Sequence, residues 1–169
     1  MKSKILIALF LAAATALAVG ALVWHTAPIT HKAPDVSYTL LDGRVERLDA
    51  LRGKVVLVNF WATTCATCVR KMPELVATHE KYNARGLETL AVAMPYDPPA
   101  RVSQFAESRR LPFGVVIDNT GAMSEGFGPI EATPTTLLID KRGEVVRRWV
   151  GEPSFEVLHS MIEKLLAQS

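Results

Sequence analysis

Cysteine is scarce and histidine is scattered. The chain has two cysteines, Cys65 and Cys68, and four histidines, His25, His31, His79 and His159, spread along its length. A structural zinc site takes four nitrogen or sulfur ligands, and two thiols without a second pair do not supply them. Val69 follows Cys68 where a haem-attachment motif carries histidine, which excludes covalent haem of that type. Net charge is also nearly missing. The formal +2 comes from Lys2 and Lys4, and without them 17 basic residues face 17 acidic ones. So neutral a body offers no footprint for a polyanion, so nucleic acid is not expected as a partner. Internal repeats and low-complexity tracts are absent, and 169 residues make one domain with a tail rather than two domains.

What the chain does have begins at its start. Residues Ile5 to Trp24 form an uncharged, mostly apolar run behind Met1-Lys2-Ser3-Lys4. Its twenty residues suffice for a bilayer core of roughly 30 Å, and Val19 to Trp24 stays apolar past the small-residue site Ala16-Leu17-Ala18. We read segment 1–24 as a membrane anchor, with a signal peptide cleaved near Ala18 as the alternative. Lysines before the run and none just after it keep the amino end in the cytoplasm and export the rest. Residues 25–33 contain Pro28 and no apolar period, and read as an unstructured spacer. Residues 34–169 form the folded domain.

Within that domain, Val36–Leu41 and Arg44–Leu48 flank Asp42-Gly43, the signature of a tight hairpin. The β-branched run Val55-Val56-Leu57-Val58 predicts a strand buried on both faces. A helix is expected from Cys65 to about Arg85, kinked at Pro73 and ended by Gly86. Leu87–Met94 and Val115–Asp118 read as strands around a helix at Ala100–Arg110, and a short helix is expected at Met123–Phe127. Thr135–Ile139 and Glu144–Trp149 make a second hairpin across Asp140-Lys141-Arg142-Gly143. Phe155, Leu158, Ile162 and Leu165 mark the apolar stripe of a terminal helix. Strands alternating with helices, then a hairpin and a helix, predict an α/β fold with a mixed central sheet covered by helices on both faces.

The chemistry concentrates in Asn59-Phe60-Trp61-Ala62-Thr63-Thr64-Cys65-Ala66-Thr67-Cys68, where the buried strand gives way to a helix. At such a corner Cys65 lies at the helix N-terminus, whose unpaired N–H groups and dipole favour a thiolate, and Cys68 comes round one turn later to face it. A reversible disulfide is the expected product. Closing so short a loop removes little entropy from the unfolded chain, which argues against a purely structural bridge. Cys65 is the expected nucleophile, with its pKa lowered into the range of roughly 3.5 to 7.5 found at such positions. Cys68 is the expected resolving thiol.

Four features in register over Pro34 to Leu166 resemble the thioredoxin superfamily, and within it the exported, often membrane-tethered TlpA/ResA-like thiol-disulfide oxidoreductases. They are Phe60-Trp61-Ala62, the Cys65-Ala66-Thr67-Cys68 motif, Pro73 inside the helix, and Thr133-Pro134 before a strand. The resemblance implies a thioredoxin-like fold in which the Thr133–Pro134 peptide is cis beside the disulfide. It also implies that Thr133, Pro134 and Trp61 help position a substrate chain. The surplus length between Cys68 and Pro134 resembles that subfamily's central insertion, assigned here to Leu87–Arg110. No resident cofactor or metal is implied. The partners implied are disulfide-containing exported proteins and a membrane thiol reductant, with the domain on the periplasmic side of a bacterial inner membrane.

Three positions depart from the family pattern. Thr64 stands where members often carry tryptophan, which changes the apolar rim met by a substrate. Asn59 replaces the buried carboxylate of minimal thioredoxins, and Lys71 replaces a glutamate of several subfamily members. The remaining candidates for a proton relay are Asn59 itself and Glu74. Among rival functions, a peroxidase of the peroxiredoxin type needs proline and threonine where Val58 and Ala62 stand. A copper carrier using the same two thiols is the alternative of a different class, since copper(I) accepts thiolates. Family copper carriers, however, space their cysteines more widely.

Overall fold

The computed structural model describes residues 31–168. The segment read as anchor or signal peptide therefore lies outside the described residues, as does the spacer up to residue 30. Twelve helices and strands follow in the described residues. They are β1 (His31–Lys32), β2 (Ser37–Thr39), β3 (Val45–Arg47), β4 (Val55–Trp61), α1 (Ala66–Tyr82), β5 (Leu87–Ala93), α2 (Pro99–Arg109), β6 (Gly114–Ile117), α3 (Ala122–Gly126), β7 (Thr135–Ile139), β8 (Glu144–Val150) and α4 (Phe155–Leu166). Single 3-10 turns at Leu48–Leu51 and Asn83–Arg85 join some of them.

Six strands form the main sheet in the order β1-β8-β7-β4-β5-β6. The pairs β4·β5 and β5·β6 are parallel, whereas β4·β7, β7·β8 and β8·β1 are antiparallel. Every residue of β4 is buried, as its unbroken apolar run requires at the centre of a sheet covered twice. The two-residue period then divides its side chains between two cores. Val55, Leu57 and Trp61 pack with residues of α1, α2 and α4, while Val56, Val58 and Phe60 pack with Tyr38, Leu48, Met123 and Phe127 of the other face. Asn59 belongs by parity to the first face, the one that carries Cys68.

Two boundaries differ from expectation. The sheet reaches into the segment read as spacer, because His31 and Lys32 pair with Val145 and Glu144 of β8. Two residues are too few to show any period. The surplus length is also not Leu87–Arg110. Strand β5 lies inside the sheet and is in register with β4 from Val55↔Leu87 to Trp61↔Ala93, so it cannot be removed without splitting the sheet. The segment that can be removed, leaving the strands continuous, is α2 with the edge strand β6, residues 99–117. Elsewhere the hairpin turns lie as read, with Gly43 and Gly143 at the positive φ values of 87° and 85° that such turns demand. Helix α1 runs continuously through Pro73, and Gly86 ends the following turn at φ 104°.

His79 has a structural place. It is buried on α1, its Nδ1 is 3.1 Å from Thr89 Oγ1 on β5, and its ring forms a T-shaped pair with that of Phe113. Burial pushes its pKa below the ordinary imidazole value, against the opposing pull of Glu88 and Glu80. Burial acts in the same direction on His159. The unfolded chain therefore takes up protons near pH 6.5 that the folded chain still refuses. Stability should be complete above that pH and fall as pH drops toward the folded pKa, by at most about 1.4 kcal/mol per pH unit for each histidine. Denaturant melts between pH 7 and 5 should show this slope, and His79→Gln should reduce it.

Candidate active site

The two cysteines are placed by one backbone corner. Strand β4 ends at Trp61, and the Cys65 N–H donates to the Ala62 carbonyl at 3.1 Å to close a turn through Thr63 and Thr64. Helix α1 then begins at Ala66, with Cys65 as its N-cap. The usual cap is an oxygen of Ser, Thr, Asp or Asn. Here Cys65 Sγ takes that place, accepting the Cys68 N–H at 3.1 Å. A thiolate at this position receives a backbone N–H and the positive end of the helix dipole together.

Cys65 and Cys68 form a disulfide, with Cα atoms 5.2 Å apart. The two ends differ in access: Cys65 is partly exposed, and Cys68 is 4% exposed. The Thr133–Pro134 peptide is cis, and the Thr133 carbonyl oxygen lies 3.5 Å from Cys65 Sγ. Pro134 is buried and its carbonyl accepts the Gly151 N–H, whereas Thr133 stands half-exposed beside the disulfide. Family resemblance predicts that these four residues meet, and the fold brings Cys65 and Thr133 together from positions 68 residues apart.

The other candidates fall differently. Trp61 is fully buried and stacks at a tilt against Phe105 of α2, with ring centroids 5.0 Å apart. It underlies the corner and does not reach the surface. Asn59 is buried and donates from Nδ2 to Thr136 Oγ1 on the paired strand β7 at 2.9 Å. A small cavity of about 20 Å³ lies behind Cys68, bounded by Asn59, Thr136, Lys71, Met72 and Phe155 among others. Glu74 does not line it. That side chain is exposed and bonds Lys71 Nζ at 2.8 Å, and Lys71 also bonds Glu152 at 2.6 Å. The two carboxylates, Glu152 foremost, hold the Lys71 ammonium above the ordinary lysine pKa. A groove of about 870 Å³ beside Arg110 and Phe113 includes none of these residues.

Sequence reasoning missed Asp97. This carboxylate, 2% exposed, sits in the loop after β5 and accepts both the Thr63 N–H and the Thr63 hydroxyl at 2.5 Å. The only local signal was an acidic residue set among Pro95, Pro98 and Pro99.

Comparison with known proteins agrees with this geometry. Residues 29–165 match the Redoxin family. The thiol-disulfide oxidoreductase ResA of Geobacillus thermodenitrificans is 38% identical over 133 residues, covering 79% of this chain and 75% of the relative. The chain belongs to the ResA-like thiol-disulfide oxidoreductases of the Redoxin family. A solved structure from Neisseria meningitidis, assigned as a thioredoxin, superposes with a TM-score of 0.76 at 38% identity, covering 81% of this chain and 91% of that one. A protein of Chlorobium tepidum assigned as the thiol:disulfide interchange protein DsbE superposes at 0.73 with 29% identity, covering 80% and 96%. The chain carries its pair as Cys-Ala-Thr-Cys, with Thr64 exposed ahead of it and Lys71 beside the space behind the buried sulfur.

Proposed function

We propose that this protein is an exported reductase of disulfides in other exported proteins, working through a Cys65/Cys68 dithiol–disulfide cycle. Cys65 attacks a substrate disulfide, and Cys68 then displaces the captured sulfur. The observation that carries this reading is the asymmetry of the pair: a half-exposed sulfur capping a helix, a buried one facing it, and the Thr133 backbone alongside. Among the described residues no backbone carbonyl takes the Thr133 N–H, so Thr133 is free to pair with an extended substrate segment, with Pro134 holding its direction. In this proposal Trp61 supports the corner from below and touches no substrate. Segment 1–24 anchors the domain, whose sheet already includes His31 and Lys32, to the periplasmic face of a bacterial inner membrane, where a membrane thiol reductant re-reduces it.

The copper-carrier reading gains nothing from the geometry. Such a carrier would bring a histidine to the thiols, but His79 and His159 lie hydrogen-bonded to Thr89 and Thr78. Equilibration with thiol–disulfide buffers tests the direction of electron flow. The Cys65/Cys68 couple should settle at or below about −230 mV, among the reducing members of the superfamily, and the reduced protein should cleave the disulfides of a folded test protein. A couple near about −120 mV, as in a strong oxidant, would overturn the reductive assignment.

A further inference from the structure

Cys68 must lose a proton before it can resolve a mixed disulfide, and among the described residues no carboxylate or histidine lines the space behind it. Of the described side chains that line it, Lys71 is the only ionisable one besides Cys68 itself. We propose that Lys71, clamped by Glu152 and Glu74, is the positioning residue that makes Cys68 a competent resolving thiol, by favouring its thiolate electrostatically instead of accepting its proton. The proposal rests on the resolving role assigned above.

Lys71 follows Cys68 by three residues on α1, so the two share one face of the helix. The Lys71 side chain is 27% exposed, and its ammonium is tied down at 2.6 Å by Glu152 and at 2.8 Å by Glu74. A cation fixed by two partners keeps its place instead of swinging into solvent. Lys71 and Cys68 both line a cavity of about 20 Å³, enough for one water and walled partly by Met72, Phe155 and Leu158. Such walls weaken dielectric screening, so a neighbouring charge counts for more than it would at an open surface.

Among the described residues, the charges around Cys68 come from two elements. Helix α1 supplies Lys71 and Glu74, while Arg70 turns outward to Thr67. The loop before α4 supplies Glu152. Strands β4 and β7 present the neutral Asn59 and Thr136, and α4 presents Phe155 and Leu158. One cation thus stands between two anions, and their effects on Cys68 have opposite signs. The step itself balances. The Cys68 thiol passes its proton to water, and the thiolate attacks Cys65 Sγ of the mixed disulfide. The Cys65–Cys68 bond forms as the Cys65–substrate bond breaks, and the substrate sulfur leaves with the electron pair and takes a proton from water. The protein dithiol has lost two electrons and the substrate disulfide has gained them.

The test titrates Cys68 by thiolate ultraviolet absorbance in the reduced full-length chain carrying Cys65→Ser. Adding Lys71→Met should raise the midpoint by about one pH unit, adding Glu152→Gln should lower it, and Lys71→Arg should restore it. In chains that keep Cys65, Lys71→Met should slow release of a preformed mixed disulfide at neutral pH by about threefold. The tenfold loss of thiolate outweighs a gain in nucleophilicity of about threefold. A midpoint that neither substitution moves, or that both move in the same direction, overturns the proposal. Glu152 is exposed, so its variant reads the effect even if Lys71→Met folds poorly. Because the titration uses no substrate, its outcome is separate from that of the reductase assay.

Discussion

With Cys68 replaced by serine, the protein will accumulate as a mixed disulfide through Cys65, and multiple turnover will fall to background. Capture needs only the first sulfur. Cys65 is partly exposed, caps α1, and accepts the Cys68 backbone N–H, a bond that serine at position 68 retains. Release needs the second sulfur, because the hydroxyl of serine is not ionised at neutral pH and cannot displace a thiolate. Loss of stability does not explain the same result, since a loop this short contributes at most about 2 kcal/mol through its cross-link. The converse variant, Cys65→Ser, should trap nothing, because its remaining sulfur is 4% exposed. Non-reducing gels of cells expressing each variant, followed by mass spectrometry of the captured chains, read both outcomes and name the substrate. Adducts that form through Cys68 in the Cys65→Ser chain, and not through Cys65, would reverse the two roles.

The parts of this molecule legible in the sequence are those governed by local pattern. The double-sided burial of β4, the length of α1, both hairpin turns and the stripe of α4 all follow from periodicity and turn chemistry within a few residues of each position. The meeting of Cys65 with Thr133 is different. It spans 68 residues, and only resemblance to a family could bring the two together before the fold was seen. Contacts without such precedent stayed hidden for the same reason. Asp97 reaches Thr63 across 34 residues, and Glu152 reaches Lys71 from the loop ahead of α4, where an acidic residue reads as ordinary surface. Glu74, which spacing made a candidate for the proton path, proves to lie on the outer side of Lys71. The misplaced insertion has another cause: a strand's own residues say that it is buried, but not which neighbours lie on either side.

Asp97→Ala should be the most damaging single change outside the cysteines. Both carboxylate oxygens are engaged, one with the Thr63 N–H and one with its hydroxyl, and the carboxylate is almost fully buried. Hydrogen bonds to a charged group are worth about 1.5–3 kcal/mol each, and alanine also leaves the Thr63 N–H without a partner, so a loss of about 2–4 kcal/mol is expected. For a domain of this size that is a fall in Tm of roughly 8–15 °C. Asp97→Asn separates geometry from charge. Its Oδ1 can accept the Thr63 N–H while its Nδ2 donates to the Thr63 hydroxyl oxygen, so two neutral bonds replace two charge-assisted ones and the loss should shrink to about 1 kcal/mol. Thr63→Val deletes the hydroxyl bond alone and should fall between them. Activity should follow the same order, because Thr63 lies in the turn that Ala62 and Cys65 close, and a misplacement of about 1 Å at a reacting atom can cost about a hundredfold in rate. If Asp97→Ala melts and turns over like the parent chain, the turn is held by its own backbone and the carboxylate is a passenger; if Asp97→Asn is no better than alanine, it is the negative charge, and not the pair of hydrogen bonds, that the corner requires.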